Sequence, residues 1–328
     1  MFSAHKKQII SMDSTTPTQD PHRMQFHGQG GTLFGIIIVN VLLTFITLGL
    51  YYPWARAKLL KYYYSETEFA GSRFEFLGTG REMFFGFIKA LGILIVIYAL
   101  FIFGAMSKNY FLMFLGYILI LAIIPFAIHG AMRYRLSRTV YRGIHFGYHG
   151  DLRELLGLFF KNILLTLVTC GIYSAWLEVN LHTYVQNNIR LGNAKVKFQA
   201  EGVDLFVIYL VGYLLTIVTL GIYAFWWVTD IHKFYINHTS IVQDDKEYPV
   251  TTNITGWNFF KLSFVNALII VFTLGIGLAW VRVRTMRFYL ENIEIPAGFD
   301  VNGLIQTEGD YKDATGDDML SMMDLNLG

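Results

Sequence analysis

The sequence predicts an all-α, polytopic transmembrane protein with about six membrane spans, built from internal repeats that are joined by short strand-like loop pieces. Of the 328 residues, 54% are hydrophobic and only 15% are charged, whereas soluble domains carry about 25% charged residues. The apolar residues form long blocks, and one motif recurs at the end of four of them. Six such blocks would leave a soluble protein too little amphipathic surface to cover them.

Each apolar block is long enough to cross a bilayer, since roughly 30 Å of hydrocarbon requires about 20 apolar residues. Lys89, Lys161 and Lys261 lie near block ends, where a lysine stem can reach the interface. We expect a polar N-terminal segment at 1–25, a repeat-built membrane domain at 26–297, and an acidic, disordered C-terminal tail at 298–328. The predicted spans lie near 33–53, 84–104, 110–130, 155–176, 205–228 and 262–281.

The recurring motif has the form Thr-x-Gly-x-Tyr-x-x-Trp, and its last copy has Gly277 in place of the tyrosine. Self-similarity of this kind indicates duplication. Tryptophan is enriched at membrane–water interfaces, so the motif tryptophans are predicted to be interfacial aromatics. They are Trp54, Trp176, Trp226 and Trp280.

A candidate polar stripe precedes each motif. Its residues advance by three or four positions, so they share one helical face. The stripe either supplies hydrogen bonds between packed helices, which is the common case, or lines a polar pathway across the membrane. We also predict that at least two of its asparagines meet in a shared polar centre. The stripe consists of Asn40, Thr44, Thr47, Asn162, Thr166, Thr169, Thr216, Thr219, Asn266 and Thr273.

After each tryptophan, the helix is predicted to continue as a polar, aromatic stretch that leads to a strand-like piece. A glycine with a phenylalanine four residues later then opens the next unit, as in Gly80 and Phe84. Full crossings would place equivalent basic stretches on alternating sides. Alternatively, each motif turns the chain back, so that all stretches share one side. Block length favours full crossing, and the Lys and Arg count then gives no orientation, with eleven on one side and twelve on the other.

No catalytic, cofactor or metal constellation is present in the sequence, so no enzyme activity is expected. The nine histidines lack companions at ligand spacing, and Cys170 is the only cysteine. No Asp or Glu lies in the centre of a span, which argues against a proton-coupled transporter. The net charge of +2 gives no basic excess that would suggest nucleic acid as a partner.

The repeated motif, the opening Phe26-His27-Gly28-x-Gly30 and the stretch from Tyr51 to Arg56 resemble the YjgN family of bacterial inner-membrane proteins. The similarity covers about 24–300. It implies a multi-pass helical fold in the bacterial inner membrane. The family has no assigned activity, so the resemblance supplies neither a reaction nor catalytic residues.

Two functions are therefore expected. The first is a small-solute permease or channel-like protein, because repeat symmetry and polar-striped helices are typical of transporters. The second is a structural or adaptor membrane protein that organises partners or lipids through its aromatic, basic connecting helices. An enzyme that acts on lipid-like substrates is a third and weaker reading. The lipid bilayer is the expected partner, with a homo-oligomer or a membrane partner left open.

Overall fold

The computed structural model describes residues 21–307, and these form five copies of one unit. In each unit a strand leads into a first helix, the chain reverses, and a second helix leads into another strand. Unit 1 contains β1 (His22–Phe26), α1 (Gly30–Ile46), α2 (Tyr52–Ser65) and β2 (Thr67–Phe69). Unit 2 contains β3 (Ser72–Phe76), α3 (Gly80–Met106), α4 (Tyr110–Ser137) and β4 (Thr139–Tyr141).

The other three units follow the same order, with the first strand of unit 5 divided in two. Unit 3 contains β5 (Ile144–Tyr148), α5 (Leu152–Val168), α6 (Ser174–Asn187) and β6 (Ile189–Leu191). Unit 4 contains β7 (Ala194–Phe198), α7 (Gly202–Val218), α8 (Ala224–Asn237) and β8 (Thr239–Gln243). Unit 5 contains β9 (Lys246–Pro249), β10 (Thr251–Thr252), α9 (Gly256–Phe272), α10 (Leu278–Glu291) and β11 (Ile293–Ile295).

The recurring motif forms the reversal between the two helices of a unit. Leu48 and Gly49 adopt left-handed backbone angles, with φ of 51° and 92°, and such residues commonly end a helix. The Gly49 N–H donates to the Thr44 carbonyl at 2.7 Å, and the Thr47 hydroxyl accepts from the Tyr51 N–H at 3.0 Å. The corresponding pairs are Cys170 and Gly171, Leu220 and Gly221, and Leu274 and Gly275. Chain reversal, the less favoured alternative from the sequence, is thus what the motif produces.

Four of the six predicted spans therefore are not single helices. The predicted ranges 33–53, 155–176, 205–228 and 262–281 each contain the end of a first helix, a reversal and the start of a second helix. The expectation failed because a turn made of leucine, isoleucine and tyrosine is as apolar as the helices that it joins. Among the described residues, only α3 and α4 combine the length and apolar composition of a membrane span, and α1, α7 and α9 are shorter apolar helices.

The strand-like pieces form one antiparallel sheet of eleven strands, so the prediction of an all-α fold is wrong in this respect. The order is β10-β11-β1-β2-β3-β4-β5-β6-β7-β8-β9. The two outermost strands, β9 and β10, are separated in the chain by Val250 alone, so the sheet closes into a ring through the backbone. Strands alternate in direction, and consequently all five helical hairpins leave one end of the ring while the strand turns occupy the other.

The second helices lie on the inside of the helical layer and the first helices lie between them on the outside. Side chains join second helices of successive units: Arg135 Nε donates to Tyr64 Oη at 2.8 Å, and the rings of His232 and Tyr289 lie 4.7 Å apart. Within a unit the helices are antiparallel, since Asn40 Nδ2 donates to the Ala55 carbonyl at 3.3 Å and Tyr62 Oη contacts Gln29. The first helices thus present the outer apolar surface.

Part of the predicted C-terminal tail belongs to the ordered core. Phe299, Val301 and Leu304 are buried against residues of several units at the turn end of the sheet ring. Asn193 N donates to the Ile305 carbonyl at 3.1 Å, so the segment is also fixed by backbone hydrogen bonds. The remainder of the predicted tail, 308–328, and residues 1–20 lie outside the described residues.

Four of the five junctions between neighbouring units contain the same contact, in which the motif tryptophan covers the glycine and phenylalanine that open the next unit. A Cβ at Gly30 would overlap the Trp280 indole, and one at Gly80 would lie 2.8 Å from the Trp54 Cα. Only glycine permits this approach of backbone to ring. The ring centroids lie 5.1 Å apart for Trp54 and Phe84, 5.5 Å for Trp176 and Phe206, 6.4 Å for Trp226 and Phe260, and 5.6 Å for Trp280 and Phe34.

The last of these contacts closes the ring, and it yields a test. Gly30→Ala should lower the free energy of unfolding by about 1–3 kcal/mol, because the new methyl group must displace the Trp280 indole. The adjacent Gly31 provides the matched control, since no atom lies within 4 Å of a Cβ placed there. Gly31→Ala should be neutral or stabilising by up to about 1 kcal/mol through helix propensity. Unfolding in detergent measures both, and equal losses would contradict the assigned contact.

Candidate membrane-inserted site

The predicted interfacial tryptophans lie at the start of the second helices, close to the reversals. Each indole packs against the opening glycine of the following unit, so only part of its surface is available for contact with lipid. Three of them are half-buried, while Trp280 is 42% exposed. In the three copies that have the motif tyrosine, the tyrosine ring lies beside the tryptophan. The centroids of Tyr173 and Trp176, for example, are 5.6 Å apart. The depth of these rings in a membrane stays a prediction.

The three stripe asparagines are buried, and each bonds within its own hairpin. Asn180 Nδ2 donates to Asn162 Oδ1 at 2.8 Å, and Asn266 Nδ2 donates to Thr285 Oγ1 at 3.2 Å. In the described part of the chain, no hydrogen bond joins two of the three stripe asparagines. Their contacts are therefore those of packed helices, and the predicted shared polar centre is not formed by direct bonds.

Unit 4 has Gly212 at the asparagine position, and the space is filled from the facing helix. The Trp227 indole lies against Gly212, where a Cβ would overlap it. Trp227 occupies the position of Ala55 in unit 1, whose carbonyl accepts from Asn40. A small residue facing a large one thus replaces a hydrogen bond, which indicates that this position serves helix packing.

The stripe threonines mostly satisfy nearby backbone groups. Thr47, Thr169, Thr219 and Thr273 donate to carbonyls four residues earlier, at 2.6–2.8 Å, and accept from the N–H four residues later, at 2.8–3.0 Å. Thr166 Oγ1 donates to the Asn162 carbonyl at 2.8 Å. Hydroxyls used in this way hold the turn and offer little to a passing solute. Thr44 and Thr216 complete the stripe, on the faces of α1 and α7.

The four short reversals carry strongly exposed apolar side chains. Leu48, Leu220 and Leu274 are 93%, 94% and 92% exposed, and Cys170 is exposed at the corresponding position of unit 3. The reversal of the long hairpin is different, because it consists of Ser107, Lys108 and Asn109. Exposed apolar side chains that recur at equivalent positions usually mark a contact with a membrane or another protein. The two kinds of tip therefore suit two surroundings, apolar for the short hairpins and aqueous for the long one.

Sequence reasoning missed a polar cluster between units 3 and 4. Glu178 of α6 accepts from Tyr209 Oη of α7 at 2.7 Å and from Tyr235 Oη of α8 at 2.5 Å. The His182 ring lies beside the Tyr235 ring at a tilt of 52°, with centroids 4.5 Å apart. Burial lowers the pKa of His182, and burial followed by the bond to Glu178 raises the pKa of Tyr235. The cluster is satisfied internally and holds second helices together. No spacing in the sequence could have revealed it, since its members come from three helices.

Within residues 21–307, no group of three His, Cys, Asp or Glu side chains is close enough to hold a metal ion. The tips and the outer faces of the first helices thus form the most distinctive surface of the molecule. We call the four tips centred on Leu48, Cys170, Leu220 and Leu274 the short tips.

A family described as bacterial protein of unknown function (DUF898) matches residues 21–202, 193–252 and 246–322. The chain belongs to the DUF898 family. The overlapping matches agree with the repeated units, and the family agrees with the resemblance noted from the sequence. No solved structure matches the chain.

Curated relatives of this DUF898 chain are named inner membrane protein YjgN. One from Salmonella typhimurium strain LT2 is 35% identical over 40% of the chain and 33% of the relative. One from Escherichia coli O157:H7 is 32% identical over 44% of the chain and 36% of the relative, and one from E. coli K12 is 49% identical over 19% and 16%. The matches thus span about a third or less of each relative. The names confirm the expected location in the bacterial inner membrane.

The asparagine contacts lead to a testable expectation. Asn40→Leu and Asn162→Leu should be additive within about 0.5 kcal/mol in a double-mutant cycle, because the two side chains bond to different helix pairs. Asn162→Leu with Asn180→Leu should instead be non-additive, since these two amides bond to each other. Thermal unfolding in detergent provides the readout. Strong coupling of Asn40 with Asn162 would restore the shared polar centre and with it the pathway interpretation.

Proposed function

We propose that this protein is a non-catalytic, lipid-engaging membrane scaffold. One hairpin, α3–α4, crosses the inner membrane, four short hairpins enter the cytoplasmic leaflet and return, and the sheet ring lies in the cytoplasm. The observation that carries the proposal is the pair Lys89 and Lys161. Both are exposed and both stand nine residues after the first residue of their helices, Gly80 and Leu152.

Because they occupy the same position in their helices, Lys89 and Lys161 lie at about the same depth in the ring of helices. A charged side chain at this position is costly in hydrocarbon, and the side chains of a helix lean toward its N-terminus, which here is the sheet end. Both ammonium groups are thereby directed toward the cytoplasmic interface. The level of Lys89 and Lys161 consequently lies close to the edge of the hydrocarbon.

From that level the two kinds of hairpin reach different depths. Lys108 follows Lys89 by 19 residues, or about 28 Å at 1.5 Å per residue, which is close to the roughly 30 Å of a hydrocarbon core. Val168 ends α5 seven residues after Lys161, or about 10 Å deeper. The long tip accordingly meets the far interface with a lysine, and the short tips end inside the membrane.

The distribution of charge supports the orientation. Apart from Lys108, each Lys and Arg of the described residues lies in the sheet ring and its turns, in a second helix, or within the first ten residues of a first helix. With all hairpins leaving one end of the ring, most of this positive charge falls on the side of the sheet, and Arg56 and Arg282, near the starts of α2 and α10, lie nearest to the short tips. The positive-inside rule then assigns that side to the cytoplasm.

This geometry supports a scaffold more than a small-solute permease. The hydrogen bonds between helices that the stripe asparagines make lie within their own hairpins, and the short tips are covered by apolar side chains. A pathway that ended among those tips would open into acyl chains. The exposed apolar faces of α1, α7 and α9 instead offer lipid a long contact around the ring.

Cys170 permits a direct test because it lies at a short tip and is the only cysteine of the chain. In spheroplasts and in inverted vesicles, a membrane-impermeant maleimide should leave Cys170 unmodified, since a thiol in hydrocarbon does not ionise. The matched control is Lys108→Cys in a Cys170→Ser background, which should react from the periplasmic side alone. Denaturation in detergent should expose Cys170 to full modification.

Labelling of Cys170 from the periplasmic side as strong as that at position 108 would mean that unit 3 crosses the membrane, and the proposal would fail. Labelling from the cytoplasmic side would place the short tips in water and would also overturn it.

A further inference from the structure

A groove beside α2 has no role in the architecture described so far. Its volume is about 530 Å³, and it lies between α1, α2 and the end of β3. The floor is apolar, with Ile36 and the buried ring of Phe76, and half-exposed Leu77 forms one edge. Lys58, Lys61 and Ser65 stand along the α2 side, and Glu75 stands at the sheet end.

The two lysines are exposed, and no ion pair within residues 21–307 involves either of them. The other units do not reproduce this pair. The positions that correspond to Lys58 and Lys61 hold Gly130 and Arg133, Asn180 and Thr183, Asp230 and Lys233, and Arg284 and Arg287. In unit 5, where both are basic, Arg287 is already engaged by the carbonyls of Phe26 and Gly28. Unit 1 is thus distinctive in keeping two ammonium groups without an ion pair beside an apolar floor.

The direction of Lys58 places its charge toward the membrane. Side chains lean toward the N-terminus of their helix, and the N-terminus of α2 is at the short tip. Lys58 Nζ lies 5.7 Å from the centroid of the Tyr51 ring, seven residues earlier in the chain. The hydrogen bond between Asn40 and Ala55 places these two residues at about the same depth. Because α1 and α2 are antiparallel, Lys58 is then level with Ile37, seven residues after the start of α1. Lys89 and Lys161 stand nine residues after the starts of their helices, so Lys58 lies about 3 Å closer to the cytoplasm.

We propose that this groove binds the phosphate headgroup of an anionic phospholipid. Lys58, Lys61 and the Ser65 hydroxyl would hold the phosphodiester, and the acyl chains would lie along the exposed part of α1 that begins at Ile38. Lysine is a usual phosphate binder as a point charge, and basic pockets on the cytoplasmic side of membrane helices bind anionic headgroups. The inference rests on the proposed function, because it needs α2 at the cytoplasmic interface.

The test compares lipids that share acyl chains. Full-length protein in mild detergent is mixed with dimyristoyl phosphatidylglycerol or dimyristoyl phosphatidylcholine, and the lipid retained after gel filtration is quantified by mass spectrometry. Phosphatidylglycerol should be retained several-fold better. Lys58→Gln with Lys61→Gln should weaken its binding by about tenfold or more, because each surface lysine favours an anionic lipid several-fold. Lys58→Arg with Lys61→Arg should keep the preference.

The matched control removes the same charge elsewhere. Lys195 and Lys246 are exposed and lie beside strand turns, at the end of the ring away from the helices. Lys195→Gln with Lys246→Gln should leave retention of phosphatidylglycerol within about twofold of the parent, since the headgroup field falls off within a Debye length.

Equal losses in the two glutamine pairs would indicate a general charge effect and would overturn the site, as would no loss in either pair. Inorganic phosphate that displaced phosphatidylglycerol at a concentration comparable to the lipid would identify a free-anion site, and would also overturn the proposal. Cys170 labelling in spheroplasts and inverted vesicles, done alongside the lipid-retention test, separates the two hypotheses. A protected Cys170 without lipid preference defeats the groove alone, whereas an accessible Cys170 defeats the topology on which the groove depends.

Discussion

The fold depends on a contact that no unit can make by itself. Each motif tryptophan needs the bare backbone of a glycine in the following unit, and each opening glycine receives its cover from the unit before it. In an open array of repeats, the terminal units must be capped because one face has no neighbour. Here α1 packs against α10, and β1 pairs with β11. Closure therefore takes the place of caps, and the first and last units are stabilised by each other.

The reversal also explains how a turn can lie in an apolar medium. Unpaired backbone groups are too costly in hydrocarbon, so irregular backbone there must be satisfied from within. The Gly171 N–H donates to the Thr166 carbonyl at 2.8 Å, and the Thr169 hydroxyl accepts from the Tyr173 N–H at 3.0 Å. With these N–H groups paired locally, the side chains that the turns expose most are leucine, isoleucine and cysteine. The same residues would be a poor choice for a loop in water.

The sequence predicted the family, the repeats, the helical membrane character and the location, because composition and motif spacing report these directly. It misjudged the path of the chain. Hydropathy averages across the turn at Leu48 and Gly49 and therefore merges α1 with the start of α2. Strands of three residues, such as Thr67–Phe69, are too short to show alternation. Unit 2 was not recognised as a repeat because its reversal at Lys108 lacks the motif, although Gly80 and Phe84 open it as the equivalent pairs open units 1, 4 and 5.

The polar tip of the long hairpin has a consequence for how such a protein would be made. In the proposed topology, Lys108 and its two polar neighbours are the part of the described chain that is carried to the far side of the bilayer. The other hairpins could enter as apolar wedges while the sheet ring assembles without ever leaving the compartment of synthesis. Membrane insertion would then need little secretion machinery, because moving one lysine across the hydrocarbon would account for most of the free-energy barrier.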